Sequence, residues 1–224
     1  MYVGRVMHKD LVTVEPATTI VEADKILTDK QIAHLLVVDE AGKLLGIISD
    51  RDLKKSWASP ATTLTKHELN YLLSQLTVDM IMIRKIITIA PDTTIERAAQ
   101  IMQENRINAL PVKDGEKLVG IITSRDVMEV LLEAIGIDGD SRRFTVIVAD
   151  RVGTMADLSN LLKEEQINIR SIFAWPDKDQ PGIYHLVIRV PARDGDRAVS
   201  VLQGGGYKVL TEYVKDISAY LPDK

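Results

Sequence analysis

"LLGIISDRDL", Leu44–Leu53, returns as "LVGIITSRDV", Leu118–Val127. In each copy Gly-Ile-Ile reads as a core strand, with Gly46 or Gly120 where another part of the chain comes close to the backbone. A strand does not by itself require the Ser/Thr, Arg and Asp that follow both times. Upstream, "VGRVMHKDLVTVEPATTI" (Val3–Ile20) aligns with "VDMIMIRKIITIAPDTTI" (Val78–Ile95), 75 positions later. "QIAHLLVVDEAGKLLGIISDRDL" then aligns with "RINALPVKDGEKLVGIITSRDV", with one residue deleted at the turn. The chain therefore carries a duplicated unit of about fifty residues.

Both units read alike. A short β-prone piece (Leu11–Val14, Ile86–Ile89) stops at Pro16 or Pro91. Ile95, Ala98, Ala99 and Met102 then form one apolar helical stripe. Thr93 with Glu96, and Thr19 with Glu22 one position out of step, mark helix starts as capping boxes. Strands follow at Leu35–Val38 and Leu44–Ser49, and at Leu110–Val112 and Leu118–Thr123. Asp39–Gly42 and Asp114–Gly115 turn between them, and Asp52 and Asp126 open a closing helix. In the second unit Val127, Val130 and Leu131 give that helix its buried stripe. Between the units, Thr65 and Glu68 restart a helix bearing Leu69, Leu72, Leu73 and Leu76, read as packing residues.

Gly136, Gly139 and "DGDSRR" read as a linker. Beyond it, "FTVIVAD", "VGTMADLSNLLKEE", "INIRSIFAWP", "IYHLVIRV", "DRAVSVLQGGG" and "YKVL" give the order βαββαβ. That order predicts an antiparallel sheet covered on one face by two helices, ferredoxin-like. The expected domains are 1–76, 77–138 and 143–213, with a tail over 214–224.

Composition narrows the function classes. The formal net charge of −4, with acids and bases interspersed, offers no basic face for nucleic acid or an anionic membrane. No cysteine is present, which excludes thiolate chemistry and suits a reducing cytoplasm. No signal peptide and no run long enough to span a membrane is read in the sequence.

The repeated residues carry specific chemistry. Ser49 or Thr123 offers a hydroxyl at the end of a strand, and three residues later Asp52 or Asp126 offers two acceptor oxygens. Such a carboxylate can accept from both hydroxyls of a ribose. Arg51 or Arg125 between them is a natural phosphate partner. Free N–H groups at the helix start add affinity for anions. Ordinary N-cap chemistry and a solvated Arg-Asp pair remain the alternative account of the same residues.

"TIAPDTTIERAAQIM", "INALPV" and "GIITSRDV", repeated in order and spacing, resemble a CBS domain, and two in tandem resemble a Bateman module over residues 1–138. The resemblance implies an α/β (α+β) fold of two pseudo-symmetric units, with adenosyl ligands held in the clefts between them. It implies Thr88, Asn108, Ala109, Thr123, Arg125 and Asp126 for one cleft, and Thr13, Ala33, His34, Ser49, Arg51 and Asp52 for the other. The copies differ: Leu36 stands where Pro111 does, and Asp50 where Ser124 does. A second carboxylate beside a phosphate is repulsive, so the Asp126 cleft is expected to bind nucleotide more tightly.

"VADRVGTMADLSNLL" followed by "INIRSI" resembles an ACT domain. That implies an effector loop at Asp150, Val152 and Gly153, faced by Asn168 and Ser171, taking a small amino-acid-like effector. It also implies pairing into a homodimer. The alternative is that Gly153 serves only a tight turn. The order CBS–CBS–ACT resembles the AcuB-like group associated with acetoin utilisation.

No catalytic constellation stands out. His8, His34, His67 and His185 form no metal-ligating pair, and ordinary packing or surface roles are expected for them. "GGG" at Gly204–Gly206 ends a helix and opens none. The expectation is a non-catalytic cytoplasmic regulator with no cofactor or metal. It would bind an adenosyl nucleotide (AMP, ADP, ATP, NAD, S-adenosylmethionine or a cyclic dinucleotide) and act on a metabolic enzyme. The alternative is an accessory subunit of such an enzyme, without a working nucleotide site.

Overall fold

The computed structural model describes residues 1–56, 75–137 and 139–222. The expected leucine-rich helix after Thr65 lies outside them, apart from Leu76. Two compact units are present, Met1–Met128 and Glu129–Lys224.

The first unit holds the duplication. Its first half runs β1 (Thr13–Val14), α1 (Ile20–Lys30), β2 (His34–Val38), β3 (Leu44–Ser49) and α2 (Asp50–Ser56). Its second half runs α3 (Val78–Ile81), α4 (Ile95–Asn105), β4 (Ala109–Asp114), β5 (Lys117–Thr123) and α5 (Ser124–Ile135), the last continuing into the second unit. β1 pairs in parallel with β2, and β2 pairs antiparallel with β3. β4 pairs antiparallel with β5, and only a single bridge, Ile89 to Val112, stands for the expected strand at Ile86–Ile89.

Helix α1 starts as expected. Thr19 accepts from the Glu22 amide, and the Glu22 carboxylate reaches back to the Thr19 amide, a reciprocal box. The expected box at Thr93 and Glu96 is displaced by one residue: Thr94 is the N-cap of α4 and accepts from the Arg97 amide. The aligned copies are thus in step, Thr94 matching Thr19. Arg97, at the third helical position, has no carboxylate with which to complete a box.

The leader of each half lies on the sheet of the other. Val3 and Gly4 amides donate to Thr93 and Pro91 carbonyls, and His8 exchanges both backbone hydrogen bonds with Ile121. In mirror fashion, Ile83 exchanges both with Ile47, while Val78 and Asp79 amides donate to Thr18 and Pro16. Val78 and Met82 therefore sit in the core of the first half, with Ile20, Leu35, Ile48 and Leu53. Fully burying a valine such as Val3 or Val78 is worth roughly 1.5–3 kcal/mol at most, so each half is stabilised by the other's leader.

This exchange explains the repeated glycines. A Cβ on Gly120 would lie 2.4 Å from Met7 Sδ and 3.1 Å from the His8 carbonyl; one on Gly46 would lie 2.3 Å from Met82 Sδ. Methionine can yield to a methyl group but not to a branched side chain. Gly120→Val is expected to lift the leader off β5 and destabilise the unit by about 1–3 kcal/mol. Urea titration of the variant checks this; a midpoint equal to wild type would remove the packing account of the repeated Gly.

The second unit runs β6 (Ser141–Ala149), α6 (Thr154–Glu164), β7 (Ser171–Pro176), β8 (Ile183–Pro191), α7 (Gly195–Gly204) and β9 (Val209–Leu210). The sheet order is β7-β8-β6-β9, the expected ferredoxin-like arrangement. Phe144, Val146 and Val148 alternate into a core with Leu158, Leu162, Leu186, Ile188, Ala198 and Leu202. The strand reaches back into the expected linker, because Ser141 to Arg143 pair with Pro191 to Arg189. Helix α7 ends as expected at its glycines, Gly206 taking φ +86°.

Candidate functional site

The strands of the duplicated halves, β1 to β3 in the first and β4 and β5 in the second, bring most of the sequence-predicted nucleotide residues together within each half. In the antiparallel pairing, Ala109 stands opposite Thr123 and His34 opposite Ser49. The Ser124 amide donates to the Asn108 carbonyl, and the Asp50 amide to that of Ala33. Each helix start is thereby tied to the residues preceding the neighbouring strand. Thr13, which pairs with Leu36, and Thr88, next to the Ile89 bridge, stand two rows along the same sheets. Arg51 and Arg125 are exposed on the first turns of α2 and α5.

At the centre of each half the aspartate is held by its own helix start. Asp52 Oδ2 accepts from the Ser49 amide at 3.0 Å and the Ser49 hydroxyl at 2.6 Å. Asp126 Oδ2 accepts from the Thr123 amide at 2.7 Å and the Thr123 hydroxyl at 2.8 Å. The capping account of the repeated residues is therefore correct as far as it goes. It uses one carboxylate oxygen of each aspartate and leaves the other to be explained.

For Asp126, which is 8% exposed, that oxygen is met by a residue the sequence did not implicate. His8 Nε2 lies 3.0 Å from Asp126 Oδ1. His8 is exposed, as a surface role implies, but the leader exchange carries it across 118 residues of sequence onto Asp126. Its counterpart in the other half is Ile83.

The first half has a histidine of its own, on β2. Burial holds the His34 imidazole below its ordinary value of 6.5, while the charges of Asp50 and Asp52 pull it upward. Its Nδ1 is buried with no hydrogen-bond partner among the described residues. An unfolded chain takes up a proton on this ring near 6.5 while the folded chain resists, so the stability it provides exists above that value and is lost as pH falls through it. The urea midpoint is expected to drop between about pH 7 and about pH 5.5, and to drop less in His34→Gln. An identical drop in the variant would remove His34 as the cause.

Asp50 is not an isolated charge. Lys54 Nζ lies 3.1 Å from its carboxylate, one helical turn on, and that hydrogen bond holds Asp50 below the usual carboxylate range. The repulsion expected of Asp50 toward a phosphate is offset to that extent. Among the described residues no group of three or more His, Asp or Glu could hold a metal ion. No described helix is long and apolar enough to cross a membrane.

In the second unit, Asp150 lies in the loop after β6, its amide donating to the Gly182 carbonyl. Val152 is fully exposed, and Gly153 takes φ +92° before α6. A Cβ on Gly153 would meet nothing, so the left-handed turn alone accounts for the glycine within one chain. Asn168 and Ser171 do not face this loop in the same chain. Ser171 pairs with Arg189, which pairs with Arg143 at the far end of β6, six rows or about 20 Å from Ala149. The Ser171 hydroxyl instead donates to the Ile135 carbonyl. A cleft of about 360 Å³ opens elsewhere, lined by Arg143, Phe173, Trp175, Asp177 and His185 among others. None of the expected effector residues lines it.

Known proteins match this geometry. The CBS domain model matches residues 3–59 and 78–133, which together make up half of the chain. The chain belongs to the CBS-domain family. Its two CBS domains are followed by an ACT domain, matched over residues 142–200. A CBS domain-containing protein of Dictyostelium discoideum is 33% identical over 134 residues, 59% of this chain and 92% of that one. A homoserine O-acetyltransferase of Methanohalobium evestigatum is 32% identical over 133 residues, 59% of this chain and 24% of that one. The chain spans about a quarter or less of the first curated relatives it matches. Among solved structures, a Vibrio cholerae protein described as an acetoin utilization protein, AcuB, superposes with a TM-score of 0.51. It is 27% identical, over 61% of this chain and 94% of that one. The CBS–CBS–ACT order and this neighbour together make the chain AcuB-like in organisation.

Proposed function

We propose that this CBS–ACT protein is a non-catalytic cytosolic regulator that binds an adenosyl nucleotide through Asp52 and Asp126. The carrying observation is that the same strand end, hydroxyl, guanidinium and carboxylate recur in both halves, with one carboxylate oxygen of each aspartate left over by the cap. Capping accounts for the Asp-Ser/Thr pair but not for the exposed Arg51 and Arg125 at matching places. A ribose on the carboxylate and a phosphate at the arginine and helix start use all of them.

Binding regulates only if the ligand has different affinities for two states of the protein. A metabolic enzyme, with acetoin utilisation as one candidate pathway, is the proposed target, and no cofactor is needed for this role. The activity of the acetyltransferase relatives is not part of the proposal, since the shared stretch is a quarter of their length. Asn168 and Ser171 are separated from the Gly153 loop within one chain. Side-by-side pairing of two ACT domains in a homodimer is the arrangement that would unite them around a small amino-acid-like effector. Isothermal titration of AMP, ATP, NAD and S-adenosylmethionine tests the nucleotide reading. Saturable binding of at least one is the expected result, and failure of all four transfers the weight to an accessory-subunit role.

A further inference from the structure

The two clefts present different numbers of free acceptor positions to a ligand. An ionised carboxylate has about four lone-pair positions, two on each oxygen. At Asp52 the Ser49 amide and hydroxyl take two, both on Oδ2. Among the described residues nothing else takes a position there, so two remain, enough for both hydroxyls of a ribose. At Asp126 the Thr123 amide and hydroxyl take two on Oδ2, and His8 takes a third on Oδ1. One remains, and a diol needs two.

We infer that His8 gates the Asp126 cleft and makes it selective for adenosyl ligands that carry an anionic group on the ribose. This rests on the nucleotide reading and deepens it. Binding of the diol displaces the His8 ring from Asp126 Oδ1. The ring can move, because its side chain is 63% exposed and Asp126 is its one hydrogen-bond or ion-pair partner among the described residues. It cannot leave the neighbourhood, because the His8 amide and carbonyl remain paired with Ile121 at 2.9 and 3.0 Å. A ligand with a phosphate offers the released imidazole a new acceptor. Adenosine offers a 5′-hydroxyl but no anionic acceptor, so more of the cost of the broken charged hydrogen bond stays with its binding. At Asp52 the equivalent place is taken by Ile83, whose side chain cannot donate a hydrogen bond.

The test titrates AMP and adenosine into a chain carrying Asp52→Ala, which leaves the Asp126 cleft to be read alone, with and without His8→Ala. The gate predicts that removing the ring tightens adenosine roughly 10- to 100-fold, the equivalent of one hydrogen bond to a charged group. AMP should gain less or weaken, so the preference for AMP narrows. His8→Gln, which keeps a neutral donor on the same leader, should retain most of the penalty on adenosine and guards against a folding artefact. An AMP-to-adenosine ratio unchanged by His8→Ala, with binding still abolished by Asp126→Ala, overturns the gate and leaves the clamp. Absence of binding by either compound to any of these chains and to the wild type overturns both.

Discussion

Asp126→Ala should abolish saturable nucleotide binding at its cleft, with a loss on the order of 100-fold or more. On the proposed function the carboxylate accepts the ribose diol, and two hydrogen bonds to a charged acceptor are worth roughly 1.5–3 kcal/mol each. The same substitution removes the cap of α5 that Thr123 shares with Asp126, costing about 1–2 kcal/mol of stability. Calorimetric titration beside a thermal melt separates the two effects. A variant that melts a few degrees early but binds as wild type would reduce the repeated Asp to a helix cap. Asp126→Asn sharpens the comparison, because its side-chain oxygen can still accept from the Thr123 amide. If it keeps the stability and loses the nucleotide, the charge serves the ligand.

Phe144→Ala has the largest expected effect on stability. Phe144 is fully buried on β6, among Val146, Leu158, Leu162 and Ile188. Truncating such a ring costs about 3–5 kcal/mol, through lost burial and the cavity left behind. That is a large part of the ordinary stability of a domain, so the ACT unit should unfold at markedly lower denaturant. Every clamp residue lies within Met1–Met128, and nucleotide binding is expected to persist at denaturant concentrations that unfold the ACT core. Titration of nucleotide at such a concentration checks this. Loss of binding in step with the ACT transition would mean that the two units fold as one.

The CBS pair and the ACT domain stand on one chain, and the two halves of the CBS pair are not alike. Cleft residues on β2 and β3 differ little in backbone placement from those on β4 and β5. What differs is which side chain the exchanged leader delivers, His8 on one sheet and Ile83 on the other. On the proposed gate, two copies of one unit would differ in ligand preference without any change in their Ser/Thr-Arg-Asp residues.

The duplication, the two repeated aspartates, their hydroxyl partners and the βαββαβ order were legible in the sequence, because each rests on local pattern: strand alternation, helical stripes, and motif residues within three positions of one another. The position of the α4 cap was misread by one residue, since Thr93 and Thr94 are adjacent and a glutamate three residues on favoured the wrong one. Register was less accessible. Ser171 is close to the Gly153 loop in the order of elements, yet the antiparallel pairing through β8 places it at the opposite end of the sheet. His8 was beyond reach altogether. Its neighbours in sequence say nothing of Asp126, because a half-repeat cannot cover its own apolar face and takes the leader of its twin to do so. Local chemistry in the sequence determined what the clamp is made of; burial of two incomplete cores against each other decided which histidine stands over it.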